Sequence, residues 1–155
     1  FTLHTNRHLI QNILLSDEGD KNMIETARFN WSKQSAKILR KKKTSQAQLE
    51  NEVYDHHSVT WLAANMMRTQ QTELSVDFYT KGQIVKSLVK RVKNQNVKIS
   101  GNSISAWVYE QSTMLNKSKL KYYFDPARPL LPLKIEKLKP GKKTATLLLK
   151  SVKWH

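Results

Sequence analysis

The sequence predicts an α+β fold that is mostly β, with antiparallel strands and one helix. Apolar and polar residues alternate along most of residues 73–155, as in strands with one buried face. Turn signals containing Gly, Asn or Pro separate these alternating stretches. Only one stretch, within residues 55–68, has clear helical spacing, so we expect about seven to nine strands and a single helix.

Length and composition predict one domain over residues 1–155. The chain has 155 residues, a net charge of +15 and no cysteine, which excludes disulfides and thiolate metal sites. Its apolar runs are only a few residues long, so we expect no transmembrane segment. Phe1 and Leu3 already alternate with polar residues, which predicts that N-terminal strands of the full-length protein precede this chain.

The first half is the less regular part of the pattern. Residues 1–22 are ambiguous: residues 8–15 have a short helical spacing, and residues 17–20 are typical of a turn. Residues 23–43 predict two antiparallel strands joined by a turn at residues 30–34. The helix follows, with Asp55 or Ser58 able to accept hydrogen bonds from its first N–H groups.

The second half predicts a β-meander of sequential strands. The alternating stretches begin near Leu74, Ser103, Lys119 and Leu131, and the last runs from Thr144 to Trp154. The periodicity of residues 84–93 slightly favours a helix, whereas their β-branched content and strand-like neighbours favour a strand, so the residues alone leave both open. The expected core consists of Phe29, Leu62, Met66, Val76, Phe78, Val108, Leu133, Ile135 and Leu147.

The order of four short motifs resembles a known family. Residues 25–29 open a strand, residues 55–58 begin a helix, residues 122–125 end a strand, and residues 131–136 read Leu-Pro-Leu-Lys-Ile-Glu. Over residues 20–153 this order is similar to the exported bacterial domain of unknown function 3108. The resemblance implies a strongly curved antiparallel sheet, an open or half barrel, that wraps one helix in its hollow. It also implies a strand at residues 84–93 and no catalytic residues to carry over. It also implies a location in the periplasm or cell envelope after removal of a leader.

An apolar ligand or a partner segment is the first function that this arrangement suggests. Methionine adapts to irregular apolar shapes, so a helix carrying Trp61, Met66 and Met67 is able to line a pocket. Trp107 and Tyr122 complete this candidate ligand-binding set from the sheet. Ordinary packing of the helix against the sheet is the alternative explanation.

A polyanion is the alternative partner, because basic residues concentrate in the second half. Residues 73–155 hold 17 basic and 5 acidic residues, against 10 and 7 in residues 1–72. Such a field attracts nucleic acid, anionic lipid or lipopolysaccharide. Lysine far outnumbers arginine, which argues against base-specific recognition. The candidate polyanion-binding residues are Lys119, Lys121, Lys134, Lys137, Lys139, Lys142 and Lys143.

Catalytic and metal chemistry has little support in the sequence. His56 and His57 are adjacent, so on a helix they point about 100° apart and do not converge on one ion. The chain has no Gly-rich phosphate loop and no nucleophile-elbow pattern. We therefore expect no cofactor, no metal and no enzymatic activity. The predicted function is a non-enzymatic envelope binding or scaffold protein, whose partner is an unknown envelope protein or lipid.

Overall fold

The residues that the structure describes form two β-sheets and one helix. The computed structural model describes residues 12–17, 20–114, 117–129 and 131–149, without the side chains of residues 12–17, 20–24, 143 and 144. The first sheet is an antiparallel meander in the order β1-β2-β3-β4. Its strands are β1 (Asn12–Asp17), β2 (Asp20–Asn30), β3 (Ser35–Arg40) and β4 (Lys43–Gln48).

The second sheet has seven strands in sequence order. They are β5 (Val53–Tyr54), β6 (Glu73–Thr80), β7 (Gln83–Ile99), β8 (Asn102–Thr113), β9 (Lys119–Phe124), β10 (Pro132–Lys139) and β11 (Lys142–Leu148). β5 pairs with β6 in parallel, and every later neighbour pairs antiparallel. β5 and β11 are therefore the two edges of this sheet.

Helix α1 (Ser58–Arg68) connects the parallel pair β5 and β6. Asp55 prepares its start, because one carboxylate oxygen accepts hydrogen bonds from the backbone N–H groups of His57 (3.0 Å) and Ser58 (2.7 Å). The buried side of the helix forms one core cluster with one face of the seven-stranded sheet, here called the helix face. Its fully buried members from the sheet are Phe78, Val89, Tyr109, Tyr122 and Phe124.

A second cluster joins the two sheets. Phe29 and Ile38 of the first sheet pack with Val53 and Tyr79, which lie on the opposite face of the seven-stranded sheet. At the rim of this contact Glu25 forms an ion pair with Arg40, at 2.7 Å. The Tyr79 hydroxyl (2.7 Å) and the Gly82 N–H (3.0 Å) both donate to the Glu25 carboxylate. Burial and this carboxylate raise the pKa of Tyr79, so the hydroxyl stays protonated as a donor.

Gly82 should tolerate alanine less well than a glycine in an open turn. Its φ is +75°, and an added Cβ would lie 2.7 Å from Arg40 Cδ. Gly101 has φ +84° but open space around it. We expect Gly101→Ala to cost about 1–2 kcal/mol from the left-handed backbone alone, and Gly82→Ala to cost measurably more. Urea unfolding compares the two variants, and equal losses would contradict the close contact with Arg40.

A third cluster covers part of the opposite face. The distal half of the β7–β8 hairpin contributes Val97 and Ala106, which pack with Tyr123 and Leu133 of β9 and β10. The register between β7 and β8 shifts between Val92 and Gln95, as at a β-bulge. Cα atoms of β10 and β7 come within 8 Å, although β8 and β9 lie between them in the sheet. The long hairpin thus reaches over the strands that follow it.

The strand prediction for residues 84–93 is confirmed, since β7 runs through it. Its misleading helical period has a physical cause: both faces of β7 are covered. Val85 and Val89 pack in the helix-face cluster, Ile84 packs between the two sheets, and Val92 packs in the third cluster. Apolar residues therefore recur at mixed spacing rather than strictly at every second position.

The fold class is confirmed at the coarser level: the described part of the chain is mostly β and contains one helix. The prediction of one continuous sheet with seven to nine strands is wrong, because β1–β4 pair only among themselves. The helical spacing proposed for residues 8–15 is wrong at Asn12 to Leu15, which form β1. Residues 8–11 and the predicted strand beyond residue 149 lie outside the described residues.

The predicted core is confirmed except at its C-terminal end. Seven of the nine positions are buried, from Phe29 to Leu133. Ile135 is half-buried against the helix-face cluster. Leu147 is 68% exposed, because it lies on the edge strand β11, which has a neighbour on one side only. Within the described residues, no helix has the length and hydropathy needed to span a membrane.

Candidate functional site

Most of the predicted ligand-binding set is core. Met66, Met67 and Tyr122 are buried together between α1 and the sheet. The Tyr122 hydroxyl donates to Gln111 Oε1 at 3.3 Å, and burial, with the Asp55 charge, raises the Tyr122 pKa. These three residues thus hold the helix on the sheet, which was the alternative explanation for the pattern.

The two tryptophans of the set differ in their relation to this core, since Trp107 packs against its edge and Trp61 is exposed. Trp107 is half-buried on β8, and the Arg91 guanidinium carbon stands 3.5 Å from the ring centroid. This stacking is a cation–π contact that occupies one face of the indole. Trp61 is 61% exposed, and its place on α1 makes it the largest side chain on the outer surface of the helix.

The outer stripe of α1 consists of Trp61, Asn65 and Arg68, spaced i, i+4 and i+7. The Arg68 guanidinium donates to Asn65 Oδ1 at 2.7 Å, which fixes the cation near the end of the helix, where the dipole favours it. At 100° per residue, Trp61 lies opposite the centre of the buried arc, which covers about 200°. The sequence indicated Trp61 but not this stripe, which is recognisable from the polar residues Asn65 and Arg68 at the same helical spacing.

The opposite face of the sheet carries a row of alternating charges. Glu73 pairs in register with Lys90, Lys90 with Glu110, Glu110 with Lys121, and Lys121 with Glu136. This charge ladder crosses five neighbouring strands, from β6 to β10. Cross-strand pairs of opposite charge stabilise a sheet, so the ladder neutralises much of the positive charge on this face.

Two acids of the ladder are buried and have further lysine partners. Lys119 Nζ lies 2.8 Å from Glu110, and Lys134 Nζ lies 2.7 Å from Glu136. The Tyr123 hydroxyl also donates a hydrogen bond to Glu136. Burial is the larger cause, and this hydrogen bond the next, of the raised pKa of Tyr123. Lys134 and Glu136 lie two residues apart on β10, on one face of the strand. The contacts of Lys119 with Glu110 and of Tyr123 with Glu136 join consecutive strands, and alternation alone does not specify which residues face one another there.

The predicted polyanion-binding lysines do not form one surface. Lys119, Lys121 and Lys134 lie on the opposite face, beside the acids of the charge ladder. By strand alternation the remaining described positions point to the helix face, near the β10–β11 turn. They are Lys137, Lys139 and Lys142, all exposed. The Lys143 side chain lies outside the described residues.

His56 does not stand in a metal-binding arrangement. Its ring packs edge-on against Phe78, with 5.0 Å between centroids. No group of three or more His, Asp or Glu residues within the described ranges is placed to hold a metal ion. Burial and, next, the positive charge of Lys137 lower the pKa of His56 from its ordinary value of 6.5, while Asp55 opposes the shift. The positive charge of Lys137 on β10 therefore acts on His56, which lies just before α1.

Replacing Lys137 should raise the pKa of His56. Lys137→Gln removes a positive charge that disfavours the imidazolium, and NMR titration of the His56 ring measures the change. Lys139→Gln, two residues along β10, is the matched control and should have a smaller effect. The pKa of His56 is lower in the folded protein than in the unfolded chain, so protonation of His56 favours unfolding. The contribution of neutral His56 to the free energy of unfolding is therefore complete above pH 6.5 and is lost as the pH falls through the pKa of the folded protein. No change with Lys137→Gln would contradict the proximity of β10 to the start of α1.

Comparison with known proteins identifies the family. The family model described as "Protein of unknown function (DUF3108)" matches residues 13–148, so the chain belongs to this family. The resemblance seen in the order of motifs is thereby confirmed. Neither the search of curated proteins nor the search of solved structures gave a match.

Proposed function

We propose that this DUF3108 protein is a non-enzymatic binding or scaffold protein of the cell envelope, which presents the outer stripe of α1 to a partner protein. The observation that carries the proposal is the 61% exposure of Trp61, at the centre of the surface of α1 that is not used for packing within the described residues. Tryptophan and arginine are the residues most often found at binding hot spots. Trp61 and Arg68 supply both on one stripe.

The proposal includes a sheet that curves around α1. A helix packed on a flat sheet typically buries a stripe somewhat wider than 100°, whereas α1 buries an arc of about 200°. Strands lie about 4.8 Å apart, so β6 and β10 would be about 19 Å apart in a flat sheet. His56 nevertheless packs on Phe78 of β6, and the positive charge of Lys137 on β10 lowers its pKa. Curvature accounts for both observations.

The same geometry favours a partner on the outside of the helix over a ligand beneath it. The space between α1 and the sheet contains Met66, Met67 and Tyr122, packed with the aromatic residues of β6, β8 and β9. An apolar ligand in that place would have to displace the helix. The helix itself thus takes the position of the predicted ligand or partner segment, and its outer stripe remains available.

A photo-crosslinking amino acid at position 61 tests the proposal in cells that produce the full-length protein. Position 37, which is exposed on β3, is the control site. We expect one envelope protein to be crosslinked from position 61 and not from position 37. With that partner purified, Trp61→Ala should raise Kd by about 30-fold, the effect of a 2 kcal/mol hot spot. Equal crosslinking from both positions, or an unchanged Kd, would contradict the proposal.

Cell fractionation tests the envelope location separately. The full-length protein with a C-terminal tag should be recovered in the periplasmic or envelope fraction, and removal of its N-terminal leader should retain it in the cytoplasm. Recovery of the intact full-length protein in the cytoplasm would contradict the location without affecting the docking stripe.

Polyanion binding is a second candidate, favoured by the lysines at the β10–β11 turn. Lys139 and Lys142 are directly opposite one another in register, an arrangement that like charges make unfavourable and that a bound anion would relieve. Lys139→Ala/Lys142→Ala should weaken binding to anionic phospholipid vesicles at low salt. Lys37→Ala/Lys41→Ala, on the first sheet, changes the net charge equally and is the control. If both double variants lost vesicle binding equally, net charge alone would explain the binding and the β10–β11 turn would not be a specific site.

A further inference from the structure

The edge strand β11 has the features of a strand that receives another strand. β10 pairs with one side of β11, and β11 is the last strand in the described sheet. An edge strand of this kind presents backbone N–H and C=O groups that a further strand is able to pair with. Seven residues, Lys142–Leu148, are long enough to pair with a short extended peptide.

The side chains of β11 distinguish it from β4, one of the two edge strands of the first sheet. β4 reads Lys-Thr-Ser-Gln-Ala-Gln and is polar, as protected edges usually are. β11 instead ends in Leu147 and Leu148, which are 68% and 45% exposed. Neighbouring residues on a strand point to opposite faces, so the C-terminal end of β11 is apolar on both faces. Packing within the described domain does not explain this pair.

The other end of β11 is basic. Lys142 is exposed and stands opposite Lys139 across the turn at Pro140 and Gly141. Two cations placed directly opposite one another destabilise the hairpin unless a negative group lies near them. A partner strand with acidic residues at this end would supply that group.

We propose that β11 binds an extended, acidic segment of another protein by strand addition. Apolar residues of the segment lie beside Leu147 and Leu148, and its carboxylates lie near Lys139 and Lys142. A second copy of this chain suits the edge poorly, because each copy carries a net charge of +15. Antiparallel self-pairing about Ala145 would also place Lys142 opposite Leu148. This surface is separate from the outer stripe of α1 and does not depend on it.

Synthetic peptides test the proposal directly. The probe is a nine-residue peptide of alternating Val and Thr with two Glu residues at one end. One control peptide carries Lys in place of Glu, and another has a central Pro that prevents strand pairing. On isotope-labelled protein, the acidic peptide should shift the amide signals of residues 142–148, and both control peptides should bind at least 10-fold more weakly.

Matched variants then locate the binding to one edge. Leu147→Lys should weaken the acidic peptide by 10-fold or more despite adding a positive charge, because it removes the apolar contact. Gln46→Lys adds the same charge to the edge strand β4 and should leave Kd within about twofold. Shifts confined to other strands, equal binding of the Lys peptide, or tighter binding by Leu147→Lys would overturn the proposal. Concentration-dependent dimers lost in Leu147→Lys would also overturn it, in favour of a second copy.

Discussion

Met66→Ala is expected to lower the free energy of unfolding by about 2–5 kcal/mol. Met66 is 0% exposed and lies in the cluster that joins α1 to the sheet. The variant removes apolar contacts and leaves a cavity that close-packed neighbours fill only in part. Urea denaturation of the purified domain, with and without the substitution, measures the loss.

Trp61→Ala on the same helix is the matched comparison. Trp61 is mostly exposed, so its removal should change the free energy of unfolding by no more than about 0.5 kcal/mol. The larger side chain should therefore have the smaller effect. If Met66→Ala were nearly neutral, Met66 would not be core, and the lining of a ligand pocket would again be its better explanation.

Glu136→Ala is the second substitution with a large expected effect, a loss of about 3 kcal/mol or more. Glu136 is 7% exposed, accepts a hydrogen bond from the Tyr123 hydroxyl and forms an ion pair with Lys134. Its removal leaves a buried hydroxyl without this acceptor and a lysine without its counter-charge. The measurement is again the free energy of unfolding, at neutral pH.

Glu73→Ala is the control at the other end of the charge ladder. Glu73 is exposed on β6 and pairs in register with Lys90, so its loss should cost less than about 1 kcal/mol. A small effect of Glu136→Ala, comparable to that of Glu73→Ala, would contradict the buried network. Such a result would also mean that Glu136 does not neutralise Lys121 and Lys134, which would then be available to bind a polyanion.

The strands of the second half were predictable because most follow simple alternation. Residues 119–124 and 103–112 were expected as strands and form β9 and most of β8. The separate first sheet was not predictable, since alternation indicates which residues share a face but not which strands pair. β4 was missed for a different reason: its mostly polar sequence lacks the apolar alternation that indicates a strand.

The candidate site was predictable only in part, for a similar reason. Helical spacing placed Met66 and Trp61 on α1, but the difference between buried and exposed depends on where the sheet lies. The lysines were visible as a charge excess, whereas only strand register shows that Lys121 lies beside both Glu110 and Glu136. Leu147 fits a core pattern in the sequence, yet it is exposed because β11 is the last strand of its sheet.

Nuclear Overhauser contacts of the Met66 and Met67 methyl groups provide the most direct test of the central claim, that α1 fills one face of the seven-stranded sheet. The cluster predicts contacts from these methyl groups to aromatic protons on β6, β8 and β9, including those of Phe78, Tyr109 and Tyr122. Trp61 should show none of these contacts. Methyl groups without contacts to the sheet, or Trp61 packed against it, would contradict the claim and the proposed docking stripe together.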